Sequence, residues 1–298
     1  MFRALRKWAD FVKFPHTAFA LPFGLAAMAI AARDHRGWPG WRKFGLIFAA
    51  LVCGRTWAMA FNRIVDRKFD ALNPRTAGRH LPTGQITLRS AVALWLLSGA
   101  GLVGASFLLN RLCFWLSPLA LVLLCFYSLT KRFTDYTHVF LGLALALAPS
   151  GAWLAVKGAD LSALELVQML VLAAVVVLWL SGFDIIYALQ DYEFDRQHGL
   201  RSLVVAWGPK NALATAFLAH LLMCGLLLAF GLLCRFRIAY LVGWFMMVVC
   251  LLLEHWIARH RGLNWIQVAF FRLNALVSAV FLIVTLAEVV FQGGFSLR

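Results

Sequence analysis

Two short acidic windows contain the residues best suited to chemistry. Six of the chain's 13 Asp and Glu residues fall within positions 62–70 and 184–195. On a helix, residues four apart lie on one face, so polar groups recurring at that interval form a row of oxygen ligands. The positions that follow this interval are Asn62, Asp66 and Asp70 in the first window and Asp191 and Asp195 in the second.

The chemistry that these acids indicate is the binding of a diphosphate through Mg²⁺. Carboxylates crowded into a low-dielectric pocket repel one another unless a cation compensates them. Oxygen ligands without His or Cys partners suit Mg²⁺, which combines one or two carboxylates with phosphate oxygens and water. Basic polar segments at residues 73–87 and 196–210 follow the two windows and supply cations for the remaining phosphate oxygens.

The elements that position these acids are membrane helices. Hydrophobic residues make up 62% of the 298 residues, and the mean hydropathy is +0.80. Because lipid cannot satisfy backbone polar groups, we expect an all-α, polytopic helical bundle, a single domain over residues 1–298 around a central cavity. Nine apolar segments can cross about 30 Å of hydrocarbon, near residues 15–32, 44–62, 88–109, 112–130, 138–156, 161–183, 211–233, 238–254 and 269–291.

The distribution of Lys and Arg predicts the topology. With the amino terminus inside, 17 of the 28 Lys and Arg residues lie on the inner side and 9 outside, which favours a cytoplasmic amino terminus in the cytoplasmic (inner) membrane. Both acidic windows then start at inner helix ends and face the same cavity.

The net charge of +15 lies in short juxtamembrane loops, so it indicates contact with anionic lipid and not with nucleic acid. Because the predicted diphosphate site lies in a membrane cavity, we expect the diphosphate to carry a lipid tail.

Several segments resemble the UbiA-type family of membrane prenyltransferases over roughly residues 10–290. Asn62, Asp66 and Asp70 resemble its first aspartate-rich motif, and residues 75–84 (RTAGRHLPTG) resemble the usual continuation. Asp191 and Asp195 resemble its second motif. Residues 127–132 (YSLTKR) are similar to its Tyr-x3-Lys element.

The resemblance implies an Mg²⁺-dependent enzyme that transfers a polyprenyl group from a polyprenyl diphosphate to an aromatic acceptor. In this reaction the ring attacks an allylic carbocation and then loses a proton. The implied metal and diphosphate ligands are Asn62, Asp66, Asp70, Asp191 and Asp195. The other implied site residues are Lys131, Arg67 and Arg75 for the diphosphate, Tyr127 beside the carbocation, Arg55 for a phosphate or the acceptor carboxylate, Asp184 for metal binding or proton removal, Tyr187 in the substrate site, and Lys13 and His16 for the acceptor.

One position departs from the family pattern. Many members have Asp directly after the motif's Asn, where this chain has Arg63. Arg63 and residues 182–191 resemble a branch labelled 4-hydroxybenzoate polyprenyltransferase, which implies either 4-hydroxybenzoate in quinone biosynthesis or 1,4-dihydroxy-6-naphthoate in a menaquinone route. A secondary transporter is the alternative from another class, since repeated acids in membrane helices are common there. A phosphatidyl-transfer enzyme fits less well, because its Asp-Gly helix motif is absent from the sequence.

Overall fold

Helices make up the secondary structure of the part of the chain that the computed structural model describes, residues 2–14, 17–260 and 263–291. Short 3₁₀ helices at Tyr127–Arg132 and Leu189–Asp191 extend two of the α-helices. The α-helices of this part are α1 (Phe2–Phe11), α2 (Thr17–Ala31), α3 (Trp41–Leu72), α4 (Leu88–Leu109), α5 (Arg111–Phe126), α6 (Thr137–Lys157), α7 (Ala163–Ala188), α8 (Tyr192–Gln197), α9 (Leu203–Leu233), α10 (Ile238–His260) and α11 (Leu263–Phe291).

Eight helical segments of the described residues are long and apolar enough to cross a membrane. The segment Arg111–Arg132 joins α5 to a 3₁₀ helix, and Ala163–Gln197 joins α7 to α8. The first predicted span is shorter, because α2 has 15 residues and extends only about 22 Å at 1.5 Å per residue. It is largely buried and packs against α6 and α11. The predicted polytopic helical bundle is confirmed, and α2 adds a shorter apolar helix to the eight candidate spans of the described residues.

Side-chain caps and turn residues fix several helix ends. Ser162 and Glu165 form a capping box at the start of α7, and Thr87 accepts a hydrogen bond from the Ser90 amide at the start of α4. Such caps satisfy backbone N–H groups that have no partner within the helix. Gly208 (φ 77°) produces a kink within α9 directly before Pro209, and the helix resumes beyond it.

Aromatic packing and close helix approach form the bundle core. The ring centroids of Phe23 and Phe281 lie 4.5 Å apart, and those of Phe23 and Trp179 lie 4.9 Å apart. Helices α6 and α7 approach closely at Gly142, where a Cβ atom would lie 2.6 Å from the carbonyl oxygen of Val177. Small residues permit this kind of contact between membrane helices.

A buried hydrogen-bond network joins α7, α10 and α11. The Trp179 indole donates to Asn274 Oδ1 at 2.7 Å, and Asn274 Nδ2 donates to Glu254 Oε2 at 2.9 Å. His220 on α9 contacts the Trp179 carbonyl oxygen at 3.0 Å. Because polar groups in an apolar interior need partners, this network fixes how the second half of the bundle packs.

Candidate active site

The final turns of α3 and the segment that follows α7 line one polar cavity of about 780 Å³. The structure therefore brings both acidic windows together. The sequence-predicted residues that line the cavity are Lys13, Arg55, Asn62, Asp66, Asp70, Arg75, Tyr127, Lys131, Asp184, Tyr187, Asp191 and Asp195. Two predicted residues are not placed there. Arg67 is exposed and donates to the Ile64 carbonyl oxygen at 3.0 Å, and His16 lies outside the described residues.

Each carboxylate of the two acidic motifs forms an ion pair with a different cation. Two of these cations lie in the loop after α3, and the other two lie in the 3₁₀ helix after α5. The pairs are Asp66 with Arg132 at 3.4 Å, Asp70 with Arg79 at 2.6 Å, Asp191 with Arg75 at 2.5 Å, and Asp195 with Lys131 at 3.5 Å. The site is therefore internally neutralised before any ligand is considered.

The pair between Arg75 and Asp191 is bidentate. Arg75 Nε donates to Asp191 Oδ1 at 2.8 Å, and its terminal nitrogen donates to Asp191 Oδ2. Asn73 Nδ2 adds a third hydrogen bond to Asp191 at 3.2 Å. Burial opposes the charge on Arg75, but the hydrogen bonds and electrostatic attraction of Asp191 and Tyr187 together outweigh it and raise the pKa of the Arg75 guanidinium. This arrangement ties the loop after α3 to the end of α7.

Local contacts within the first motif orient its ligands. Asn62 Nδ2 donates to Asp66 Oδ2 at 2.8 Å across one helical turn. The Thr76 hydroxyl donates to the Asp70 carbonyl oxygen at 3.0 Å, so the loop folds back onto the last turn of α3. The side chain of Asp70 is thereby held towards the cavity, where it is 6% exposed.

The oxygen donors of the two motifs are of the type that suits Mg²⁺. Among the described residues, no three His, Cys, Asp or Glu side chains are grouped closely enough to share a single ion. Two carboxylates per motif nevertheless match the number that Mg²⁺ takes from protein, with water and phosphate oxygens completing the octahedron. The residues that would hold the ions are Asn62, Asp66 and Asp70 on one side and Asp191 and Asp195 on the other.

Asp184 forms a separate dyad with a histidine. His138 Nδ1 lies 2.6 Å from Asp184 Oδ2, and since a carboxylate only accepts, the imidazole donates. The Asp184 side chain is 21% exposed, whereas His138 is fully buried. The dyad therefore presents a hydrogen-bonded carboxylate to the cavity from the α7 side.

A second, apolar cavity of about 240 Å³ lies between α2, α3, α4, α5 and α6. It shares Arg55, Tyr127 and Leu145 with the polar cavity. Arg55 Nε is buried and has no hydrogen-bond partner within the described residues. An unpaired cation in this setting is costly, so the junction of the two cavities is suited to an anionic group.

Five cavity residues or their direct partners were not given a role by the sequence. Arg79 and Arg132 lie within the motifs at residues 75–84 and 127–132, where their positive charge could have indicated a role in the site. Asn73 and Arg63 follow motif residues, but nothing in their spacing indicates that they face the cavity. His138 is a single histidine in an apolar span, and 46 positions separate it from Asp184.

The fold and the acid-lined cavity define a polytopic membrane protein in which a polar cavity adjoins an apolar one. The UbiA prenyltransferase family model matches residues 20–276. The chain therefore belongs to the UbiA prenyltransferase family, as the motif resemblance predicted.

Curated relatives include enzymes that act on 4-hydroxybenzoate. The chain is 34% identical to the 4-hydroxybenzoate octaprenyltransferase of Alcanivorax borkumensis over 194 residues, which cover 64% of each chain. It is 32% identical to the enzyme of that name from Pseudomonas fluorescens over 246 residues, 80% of this chain and 77% of the relative. The matched segment thus spans slightly less than two thirds of the Alcanivorax protein.

Solved structures have the same fold. The apo structure of a UbiA homolog from Aeropyrum pernix has a TM-score of 0.79 and 31% identity, and covers 89% of this chain and 95% of that one. A UbiA homolog from Archaeoglobus fulgidus, bound to DMAPP and Mg²⁺, has a TM-score of 0.69 and 22% identity, covering 94% of this chain and 99% of the homolog. The second likeness concerns the fold alone.

Proposed function

We propose that this protein transfers a polyprenyl group from a polyprenyl diphosphate to a ring carbon of a small aromatic acid, with 4-hydroxybenzoate as the acceptor in quinone biosynthesis. The observation that carries the proposal is the junction at Arg55 and Tyr127 between an acid-lined polar cavity and an apolar cavity. A prenyl diphosphate has the matching division between head and tail. The names of the curated relatives support the acceptor.

The diphosphate head binds where the four ion pairs lie. Asn62, Asp66, Asp70, Asp191 and Asp195 would hold Mg²⁺, which would supply positive charge to stabilise the leaving diphosphate. Arg75, Arg79, Lys131 and Arg132 pair with the motif carboxylates and line the same cavity. With those carboxylates engaged by a metal, the four cations would donate to the diphosphate oxygens. Stabilising charge that develops on a leaving group is a large catalytic term in a preorganised site.

The tail lies in the apolar cavity, and the reactive carbon lies near Tyr127. The phenol ring belongs to the lining of both cavities, so its face is available to an allylic cation. Apolar walls around the tail exclude water, which would otherwise react with the carbocation.

Asp184 accepts the proton that the aromatic ring loses. Its direct partner is His138 and not a motif cation, which favours proton transfer over metal binding among the two roles implied by the resemblance. The Nδ1–H of His138 holds the carboxylate in one orientation, as the partner of a general base should. His138 is thus a positioning residue for Asp184.

We propose a cytoplasmic orientation for the amino terminus and both motif segments, in the inner membrane. The excess of Lys and Arg on this side supports that orientation. 1,4-Dihydroxy-6-naphthoate is the alternative acceptor, since it is also a small aromatic acid. Transport of a substrate is the alternative of another class, but membership of a prenyltransferase family favours an enzyme.

The test uses the purified full-length protein in detergent with Mg²⁺ and a labelled polyprenyl diphosphate. Separate reactions contain 4-hydroxybenzoate or 1,4-dihydroxy-6-naphthoate. We expect the wild type to form prenylated 4-hydroxybenzoate. Asp66→Ala should lose nearly all of this product formation. Asp160→Ala, which removes an exposed acid outside the cavity, should retain it. Product from neither acid, or full activity of Asp66→Ala, contradicts the proposal. Product from the naphthoate alone corrects the acceptor.

A further inference from the structure

Arg63 points to a binding subsite of its own on the α1 side of the polar cavity. It lines the cavity and is 6% exposed. Its Nε donates to the Phe11 carbonyl oxygen at the end of α1, with a length of 3.4 Å. Among the described residues no hydrogen bond or ion pair engages its two terminal nitrogens. The polar edge of this buried guanidinium is therefore free to bind a ligand.

Two further cations lie beside Arg63. Burial and the Arg63 and Arg79 guanidinium groups lower the pKa of the Lys13 ammonium, so these groups lie close enough to repel one another. The acids whose charges act on Arg63 are Asp70 and Asp66, and these are paired with Arg79 and Arg132. The acid that acts on Lys13 is the exposed Asp10. A buried cation without a counter-charge is costly, and an incoming anion at this position removes that cost.

Aromatic side chains form the wall next to these cations. The Phe11 ring is 2% exposed and meets the His80 ring edge to face, with centroids 6.3 Å apart. Both residues line the cavity together with Phe19 and Phe69. Cations at one end and ring faces along the side match a planar aromatic ring that carries a single carboxylate.

The alternative anion, the diphosphate, has enough cations elsewhere. Arg75, Arg132 and Lys131 pair with motif acids that the metal would engage, so their release supplies the diphosphate side. Arg63 forms no ion pair among the described residues, so it has no bonded acid to exchange. Arg55, whose Nε is buried, is another cation without an ion pair in this part of the chain. It lines the apolar cavity as well as the polar one, with Tyr127 as its ionisable neighbour, whereas Arg63 lines the polar cavity and bonds to α1.

We propose that Arg63, supported by Lys13, binds the carboxylate of the aromatic acceptor and selects acids over neutral phenols. This inference rests on the proposed function for the identity of the acceptor. It also gives the departure from the family pattern a role, because Asp at this position would repel a carboxylate. The carbonyl of Phe11 makes α1 part of the subsite by orienting the guanidinium.

The experiment measures binding separately from turnover. Equilibrium dialysis of labelled 4-hydroxybenzoate against the full-length protein, without diphosphate, is compared for wild type, Arg63→Gln, Arg63→Lys, Arg55→Gln and Lys68→Gln. Gln at position 63 keeps a donor for the Phe11 carbonyl but removes the charge. Lys68 is an exposed cation on the same helix and serves as the control. Unlabelled 4-hydroxybenzamide, a neutral analogue, is used as a competitor.

We expect Arg63→Gln to weaken 4-hydroxybenzoate binding about 10- to 100-fold, the scale of a lost charge-assisted hydrogen bond. Arg63→Lys should retain part of the affinity and Lys68→Gln all of it. The amide should compete poorly in the wild type and in Lys68→Gln, and better in Arg63→Gln. Unchanged affinity in both Arg63 variants, or loss confined to Arg55→Gln, overturns the inference. Arg63-dependent binding without any prenyl transfer would instead leave the subsite intact and reject the proposed function.

Discussion

Replacement of Asp191 by Asn tests whether the paired carboxylates act in catalysis or only in stability. The change keeps the shape of the side chain but removes the charge that Arg75 binds in a bidentate manner. Charge-assisted hydrogen bonds contribute about 1.5–3 kcal/mol against about 0.5–1.5 kcal/mol for neutral ones. For the two hydrogen bonds of the bidentate pair the difference is about 2–3 kcal/mol in total. Because the Arg75 side chain is 26% exposed, solvent screening reduces this difference, and we expect the unfolding free energy to fall by about 1–2 kcal/mol.

A loss of that size leaves the protein folded, since domains are stable by about 5–15 kcal/mol. We expect kcat for prenyl transfer to fall about 10²- to 10³-fold, the loss typical when one charge-stabilising group is removed from an active site. Thermal unfolding followed by tryptophan fluorescence and a labelled-substrate assay measure the two effects on the same sample. Glu193→Gln changes an exposed acid two residues away and should alter neither. If Asp191→Asn keeps a third or more of the activity, the role of the second motif is refuted.

Three further changes probe other parts of the structure. Ala148→Phe fills the apolar cavity, so the ratio of products from long and short prenyl diphosphates should shift at least about fivefold towards the short one; an unchanged ratio contradicts the tail site. Gly142→Ala places a methyl group against the α7 backbone and should destabilise the protein by about 1–3 kcal/mol, which thermal unfolding measures. Asp184→Asn should lower kcat about 10²- to 10⁴-fold with the KM for the diphosphate unchanged; a rise in that KM instead would indicate a metal or diphosphate role.

The membrane helices could be predicted because a long apolar run has few alternatives in lipid. Their ends were less predictable. The predicted second span stops at residue 62, whereas α3 continues to Leu72. Hydropathy falls there because the polar residues face a cavity, yet the backbone remains helical. Similarly, residues 203–210 were predicted as part of a polar loop but form the first turns of α9, since Gly208 and Pro209 bend this helix without ending it.

The acids of the candidate site follow from local spacing, but their partners do not. Asp191 and Arg75 are 116 positions apart, and only the tertiary fold brings them together. Arg67 is the opposite case, a residue that was predicted to lie in the site but does not line the cavity. It follows Asp66 directly, so a helix turns it about 100° away from the row of acids, and it is exposed as that rotation requires. The helical period therefore separates Arg67 from the acids, whereas Arg75 lies in the loop after α3, where this period does not apply.

The four ion pairs would couple the binding of the two proposed ligands. A metal ion alone would compete with four cations for the carboxylates, and a diphosphate alone would compete with four carboxylates for those cations. Bound together, the two ligands would satisfy both sets of groups. By thermodynamic linkage, each ligand would then raise the affinity for the other by an equal factor. The site would therefore favour joint binding over the binding of either ligand alone.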